Sequence, residues 1–250
     1  MTKTPLLAAL AFAALSATSA ASQSAEQFVD AFSGAWYSFD AARAGGAEPC
    51  RIELEAGTDD LQRGHAAASA GCAAPLSDLA RWDIENGQLH LMDDTGGLLA
   101  LLGGNQVRVT GDVAGEAGTL ILDRSEGAPE AAALSAALRR HRCIYRGYSQ
   151  DCAPKEELQQ PKMTEEDGAY ANVEVLVQLN VRSQPRGDAG ALGVLEPGIC
   201  LKVNYCATAS DGVWCRGRFG EQSGWVKKIS LRQSEWPALT FANSCTNDEG

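Results

Sequence analysis

Short alternations of apolar and polar residues, separated by glycine-bearing turns, run through residues 33–124. Period-two patterning of this kind predicts half-buried strands. Gly34–Phe39 begins the series and Cys50-Arg51-Ile52-Glu53-Leu54 alternates cleanly. Gly71-Cys72 marks a strand end, and Trp82-Asp83-Ile84 opens the next strand. Asn86-Gly87 is a strong hairpin signal leading into Gln88–Met92. Asp94-Thr95-Gly96-Gly97 turns into Leu98–Leu102, and Val107–Gly111 and Thr119–Leu122 complete roughly eight strands. Antiparallel strands this short must close or stack to hide their edges, and a small barrel fits better than a sandwich.

Beyond that region the pattern changes. Residues 131–142, rich in alanine with Pro129-Glu130 ahead and Arg139–Arg142 behind, predict a short helix that suits its dipole. A helix of this length needs a docking surface. Residues 153–168 are polar with little to bury and predict a flexible linker, so 125–170 reads as helix plus linker. Alternation resumes at 171–232, where Asp211-Gly212 predicts a turn between strands bearing Tyr205 and Trp214. Residues 233–250 form a tail, in which Trp236-Pro237 is expected to pack.

The first 21 residues have the form of a secretory signal: Lys3, an apolar run from Leu6 to Leu15, then the small residues Ser16–Ala21. The run is too short to span a bilayer. Cleavage after Ala21 makes Ser22 the first residue; cleavage after Ala20 is nearly as acceptable. Export sets the reading of eight cysteines: in an oxidising compartment an even number implies disulfides. Cys50 with Cys72 closes one loop and Cys143 with Cys152 another. Cys206 and Cys215 flank the Asp211-Gly212 turn, leaving Cys200 for Cys245, although Cys200, Cys206, Cys215 and Cys245 allow three pairings.

A formal charge of −11 argues against a generic nucleic-acid binder, and signal removal deepens it by one. The three histidines lie far apart, there is no CxxC pair, and no catalytic or phosphate-cradling motif occurs. Glu85, His90 and Asp93 are the nearest approach to an enzyme site, without a nucleophile beside them. The reading is therefore not an enzyme, with no cofactor and no metal.

The pattern Ser33-Gly34-x-Trp36, Cys50-x-Ile52-x-Leu54, Gly71-Cys72, Trp82, Leu89-x-Leu91-x-Asp93-x-x-Gly96, Gly111 and Leu120-x-Leu122-x-Arg124 resembles the bacterial metalloprotease-inhibitor family across residues 22–124. Members of that family, and related outer-membrane lipoproteins, share a small eight-stranded lipocalin-like barrel. The inhibitors block secreted serralysin-type zinc proteases. The resemblance implies an N-terminal arm at 22–32 whose tip, Ser22, Gln23, Ser24, Ala25 and Glu26, enters the protease cleft in a 1:1 complex. It places the amine of Ser22 at the zinc, which a pKa near 8 permits. Extended residues behind it would add a strand to the enzyme's substrate-binding edge. This arm departs from the family in carrying Gln23, Ser24 and Ala25 where larger apolar or basic residues are usual.

Leu179-Asn180-Val181-Arg182-Ser183-x-Pro185, Gly193-Val194-Leu195, Pro197-Gly198, Leu201-x-Val203, Gly212–Gly217 and Ser223-Gly224-Trp225-Val226 resemble a bacterial SH3-like domain at 171–232. Such domains are associated with cell-wall peptides or protein contacts. Tyr205 and Trp214 are either core or an aromatic ligand surface. The fold class expected is all-β: a small eight-stranded antiparallel lipocalin-like barrel at 33–124, then an SH3-like barrel. The leading function is a secreted or periplasmic metalloprotease inhibitor. The alternative is a non-catalytic periplasmic or envelope binding or scaffolding protein using the SH3-like domain.

Overall fold

The computed structural model describes residues 25–57, 64–116, 118–124, 127–164 and 169–245. The first unit is a closed antiparallel barrel of β1 (Gly34–Ser38), β2 (Cys50–Leu54), β3 (His65–Ala70), β4 (Arg81–Glu85), β5 (Gln88–Met92), β6 (Leu98–Gly104), β7 (Arg108–Val113) and β8 (Thr119–Asp123). Each strand pairs with the next, and Tyr37 opposite Asp123 closes the ring. Alternation carries one face inward: Trp36, Ile52, Leu54, Trp82, Leu91 and Leu102 are fully buried, so side chains fill the interior. Asn86 and Gly87 both take positive φ, 52° and 75°, the geometry a two-residue hairpin requires between β4 and β5. Strand β3 is mostly alanine. Its sequence therefore shows only its end at Gly71-Cys72, and its place is set by pairing Ala67 with Leu54.

The all-β expectation is corrected by two α-helices among the described residues, α1 (Ala25–Phe32) and α2 (Pro129–His141). Helix α1 falls where an extended arm was expected. Val29 and Phe32 lie one turn apart and pack on the barrel core, and such burial stabilises a helix too short to form alone. Helix α2 starts with Pro129 in its first turn and ends at Arg142 in the left-handed conformation, φ 53°. Its buried Leu134 and Ala137 supply the docking face that its length demanded.

The second unit is built from β9 (Tyr145–Arg146), β10 (Ala171–Val175), β11 (Leu179–Arg182), β12 (Ala191–Leu195), β13 (Cys200–Ala209), β14 (Gly212–Phe219), β15 (Gln222–Lys227), β16 (Ile229–Arg232), β17 (Trp236–Leu239) and β18 (Phe241–Ala242). The expected SH3-like barrel is here a seven-stranded sheet, ordered β12-β11-β15-β14-β13-β10-β18, beside a three-stranded sheet, β16-β17-β9. Segments outside 171–232 complete both sheets. Phe241 pairs with Val175, and Ala238 runs parallel to Tyr145. The segment 153–164 is also tied down: Pro161 is buried, and Asn243 Nδ2 donates to the carbonyls of Glu156 and Gln159. Among the described residues, no helix is long and apolar enough to cross a membrane.

Candidate functional site

The site that the sequence places at the N-terminus begins with the attachment of α1. Trp36 sits inside the barrel at the foot of the helix, and its Nε1 donates to the Phe32 carbonyl at 2.8 Å. The Phe32 ring stacks on Trp36 with centroids 6.2 Å apart. From the end of β8, Arg124 lays its guanidinium 4.1 Å from the Trp36 ring centroid. It donates from Nη1 to Ser33 O and from Nη2 to Ala31 O, both at 2.7 Å. These carbonyls belong to the C-terminal end of the helix, where orphan acceptors and the negative end of the dipole favour a cation. Gly34 follows directly at φ 97°, and a Cβ there would lie 3.1 Å from Arg124 Nη1. The Ser33-Gly34-x-Trp36 motif and Arg124 are thus one clamp. Of the expected arm, Ser22, Gln23 and Ser24 lie outside the described residues. Ala25 and Glu26 are the first two residues of α1 rather than extended backbone.

The eight cysteines form four disulfides: Cys50–Cys72, Cys143–Cys152, Cys200–Cys245 and Cys206–Cys215. The first joins the start of β2 to the residue after Gly71 beyond β3. The second staples the loop after α2. The third ties the tail to β13, and the fourth bridges β13 and β14 at directly opposed positions. Four such bonds belong to an oxidising compartment.

Tyr205 and Trp214 lie at the junction of the two units. Trp214 is 2% exposed and packs with Ile121 of β8, Ala207, Ala209 and Trp225. The Tyr205 hydroxyl donates to the Thr119 carbonyl at 3.2 Å, and its ring meets Trp225 edge-on. An aromatic surface that serves this joint is not an open ligand platform.

Polar groups beside these aromatics fix the joint. Arg108 on β7 pairs with Asp123 on β8 through Nε at 2.5 Å, and with Asp211 on the β13–β14 turn through Nη2 at 2.6 Å. Its Nη1 donates to the Pro185 carbonyl at 2.8 Å. Asp211 also takes Lys227 Nζ at 2.6 Å and the Trp214 Nε1 proton at 3.1 Å. The Ser210 amide donates to Asp123, and the Ser210 hydroxyl accepts from the Ala128 amide. Two carboxylates thus face two cations, with Arg108, Asp123 and Asp211 all buried. Burial alone would raise the Asp211 carboxyl, but Arg108 and Lys227 outweigh it and hold it below the usual carboxylate range. Burial likewise opposes the charge on Arg108, and its two carboxylates reverse the effect.

Sequence reading missed this network, because a charged residue at an outward position of an alternating strand reads as solvent-facing. One signal was present. Leu120-Ile121-Leu122 is apolar on both faces, which marks a strand covered outside as well as in.

Glu85, His90 and Asp93 do not assemble into a centre. His90 Nδ1 lies 3.7 Å from an exposed Glu85 carboxylate across the β4–β5 hairpin. Asp93 caps the turn before β6 by accepting from Thr95 and from the Gly97 amide, which lowers its carboxyl pKa. No protein-family model matches the chain, and no curated protein does. The fold and its chemistry define a disulfide-stapled protein of two β-rich units, with an eight-stranded barrel leading.

Proposed function

We propose that this protein inhibits a secreted zinc metalloprotease of the serralysin type, as the resemblance of its barrel sequence implies. The residues ahead of α1, Ser22, Gln23 and Ser24, would enter the active-site cleft, with the amine of Ser22 directed at the zinc. The clamp at the other end of α1 carries this reading. Arg124, Trp36 and Phe32 hold the far end of the helix on the barrel, so the inserting residues are carried on an anchored eight-residue helix. A short segment on a fixed root loses less conformational entropy on binding than a long free arm. The helix also shortens the inserting segment, because the backbone of Ala25 and Glu26 is no longer free to add a strand to the enzyme. The four disulfides suit a periplasmic or secreted protein facing a protease.

The test is an inhibition assay against serralysin-type proteases from the same source. It compares protein beginning at Ser22 with protein beginning at Ala25 and with an N-acetylated form. Inhibition by the first, lost in the other two, is the expected result. If the form beginning at Ser22 leaves every such protease fully active, the proposal fails.

A further inference from the structure

Away from the arm, a cleft of about 510 Å³ opens between α2 and the second unit. This is the size of a small-molecule site. One wall is the alanine face of the helix, at Ala133 and Leu134, and the floor is Val177, Leu179 and Ala238. Three cations line it, Arg182, Lys227 and Arg232, against a single carboxylate, Glu130. Lys227 is already paired with Asp211. Among the described residues, neither arginine is paired with a carboxylate. Arg182 donates Nη1 to the Ala189 carbonyl at 2.8 Å, and Arg232 donates Nη1 to the Gly147 carbonyl at a long 3.4 Å. A guanidinium carries five N–H donors in a planar fork matched to carboxylate and phosphate. In a chain of formal charge −11, this cleft reverses the prevailing sign.

We propose that the cleft binds an amphiphilic anion. Its apolar body would lie between the alanine face of α2 and Leu179, and its carboxylate or phosphate would be met by Arg182 and Arg232. A neutral apolar ligand would leave the guanidiniums unanswered at the rim, and a cation would be repelled by them. The ligand class follows from the pairing of an apolar floor with two arginines that have no carboxylate partner among the described residues. The site is separate from the N-terminal arm and does not rest on the inhibitor reading.

Calorimetric titration of the whole mature protein tests this, with decanoate and decyl phosphate below their micelle concentrations. Decanol is the apolar control; acetate and inorganic phosphate are the charge-only controls. Binding of one molecule of decanoate or decyl phosphate is expected, with each control at least about tenfold weaker, the scale of one charge-assisted hydrogen bond. The tighter of the two head groups identifies the carboxylate or the phosphate source. Arg232→Gln should lose about tenfold in affinity, and Ala133→Trp, which fills the cleft from an exposed helix position, should abolish binding. The second variant is needed because Arg182 also holds the Ala189 loop. Equal affinity for decanol and decanoate overturns the proposal, as does full affinity in Ala133→Trp or no binding to the wild-type protein.

Discussion

Arg108 of β7 and Asp211 of the β13–β14 turn form a 2.6 Å ion pair across the joint between the two units, with both side chains buried. Asp123 and Lys227 complete the set, so the charges balance only while the units are together. Removing one member leaves buried charge without a partner, a loss of about 3–5 kcal/mol. Arg108→Leu should therefore destabilise the protein by that order and separate its unfolding into two calorimetric transitions. Asp123→Asn and Asp211→Asn added to Arg108→Leu should restore part of the loss. A single unshifted transition in Arg108→Leu would show that the joint is held without this ion pair, by the Ile121–Trp214 packing and the Tyr205 and Ser210 hydrogen bonds.

The same network sets an acid limit. The folded pKa of Asp211 lies below its ordinary value of 3.8. Its stabilising contribution is therefore fully present above that value and is lost as pH falls through the folded pKa. Wild-type stability should drop below about pH 4. The variant with Arg108 replaced by Leu, having lost the principal partner, should drop less over the same range. Parallel urea curves at pH 5 and pH 3 make the comparison.

Cys50–Cys72 closes a loop of 22 residues between the start of β2 and the end of β3. Chain-entropy reasoning assigns about 3 kcal/mol to such a closure. The effect should be large here, because alanine-rich β3 has few side-chain contacts of its own to hold it in register. The double variant Cys50→Ala/Cys72→Ala should lose close to that amount, and amide exchange should rise first along His65–Ala70. Uniform exchange across all eight strands would mean that β3 is held independently of the disulfide.

The barrel was legible in the sequence because its strands alternate and its turns carry their own chemistry, as at Asn86-Gly87. Helix α2 was legible from its alanines and its flanking Pro129 and arginines. What escaped reading depended on partners distant in the chain. Residues 25–32 are too few to announce a helix, and α1 exists because Trp36 and Arg124 receive it. The strands β9, β17 and β18 are two to four residues long and acquire pairing only through partners far along the chain or beside one another, β18 on β10, β17 on β16 and β9 on β17. Arg108 reads as an outward surface charge until Asp211, some hundred residues later, is folded onto it. For Tyr205 and Trp214 the sequence left core and ligand surface open, because local sequence could not say that β8 is what they meet.

Lys228 offers a test at alkaline pH. Its side chain is fully buried, with Nζ 2.7 Å from Asn243 Oδ1 and 4.3 Å from the Phe241 ring centroid. Burial lowers its pKa from 10.5 to about 8, and Glu157 opposes the shift. Between these values the unfolded chain holds a proton that the folded chain has released, so stability rises with pH. The slope approaches about 1.4 kcal/mol per pH unit in mid-window. Lys228→Met removes the titrating group. The stability of the wild-type protein relative to Lys228→Met should climb by about 2 kcal/mol from pH 7 to pH 9.5. Urea unfolding of both proteins, disulfides intact, measures this difference directly. A difference that stays flat with pH would mean that Lys228 keeps its charge in the folded state, held there by Asn243 and Glu157.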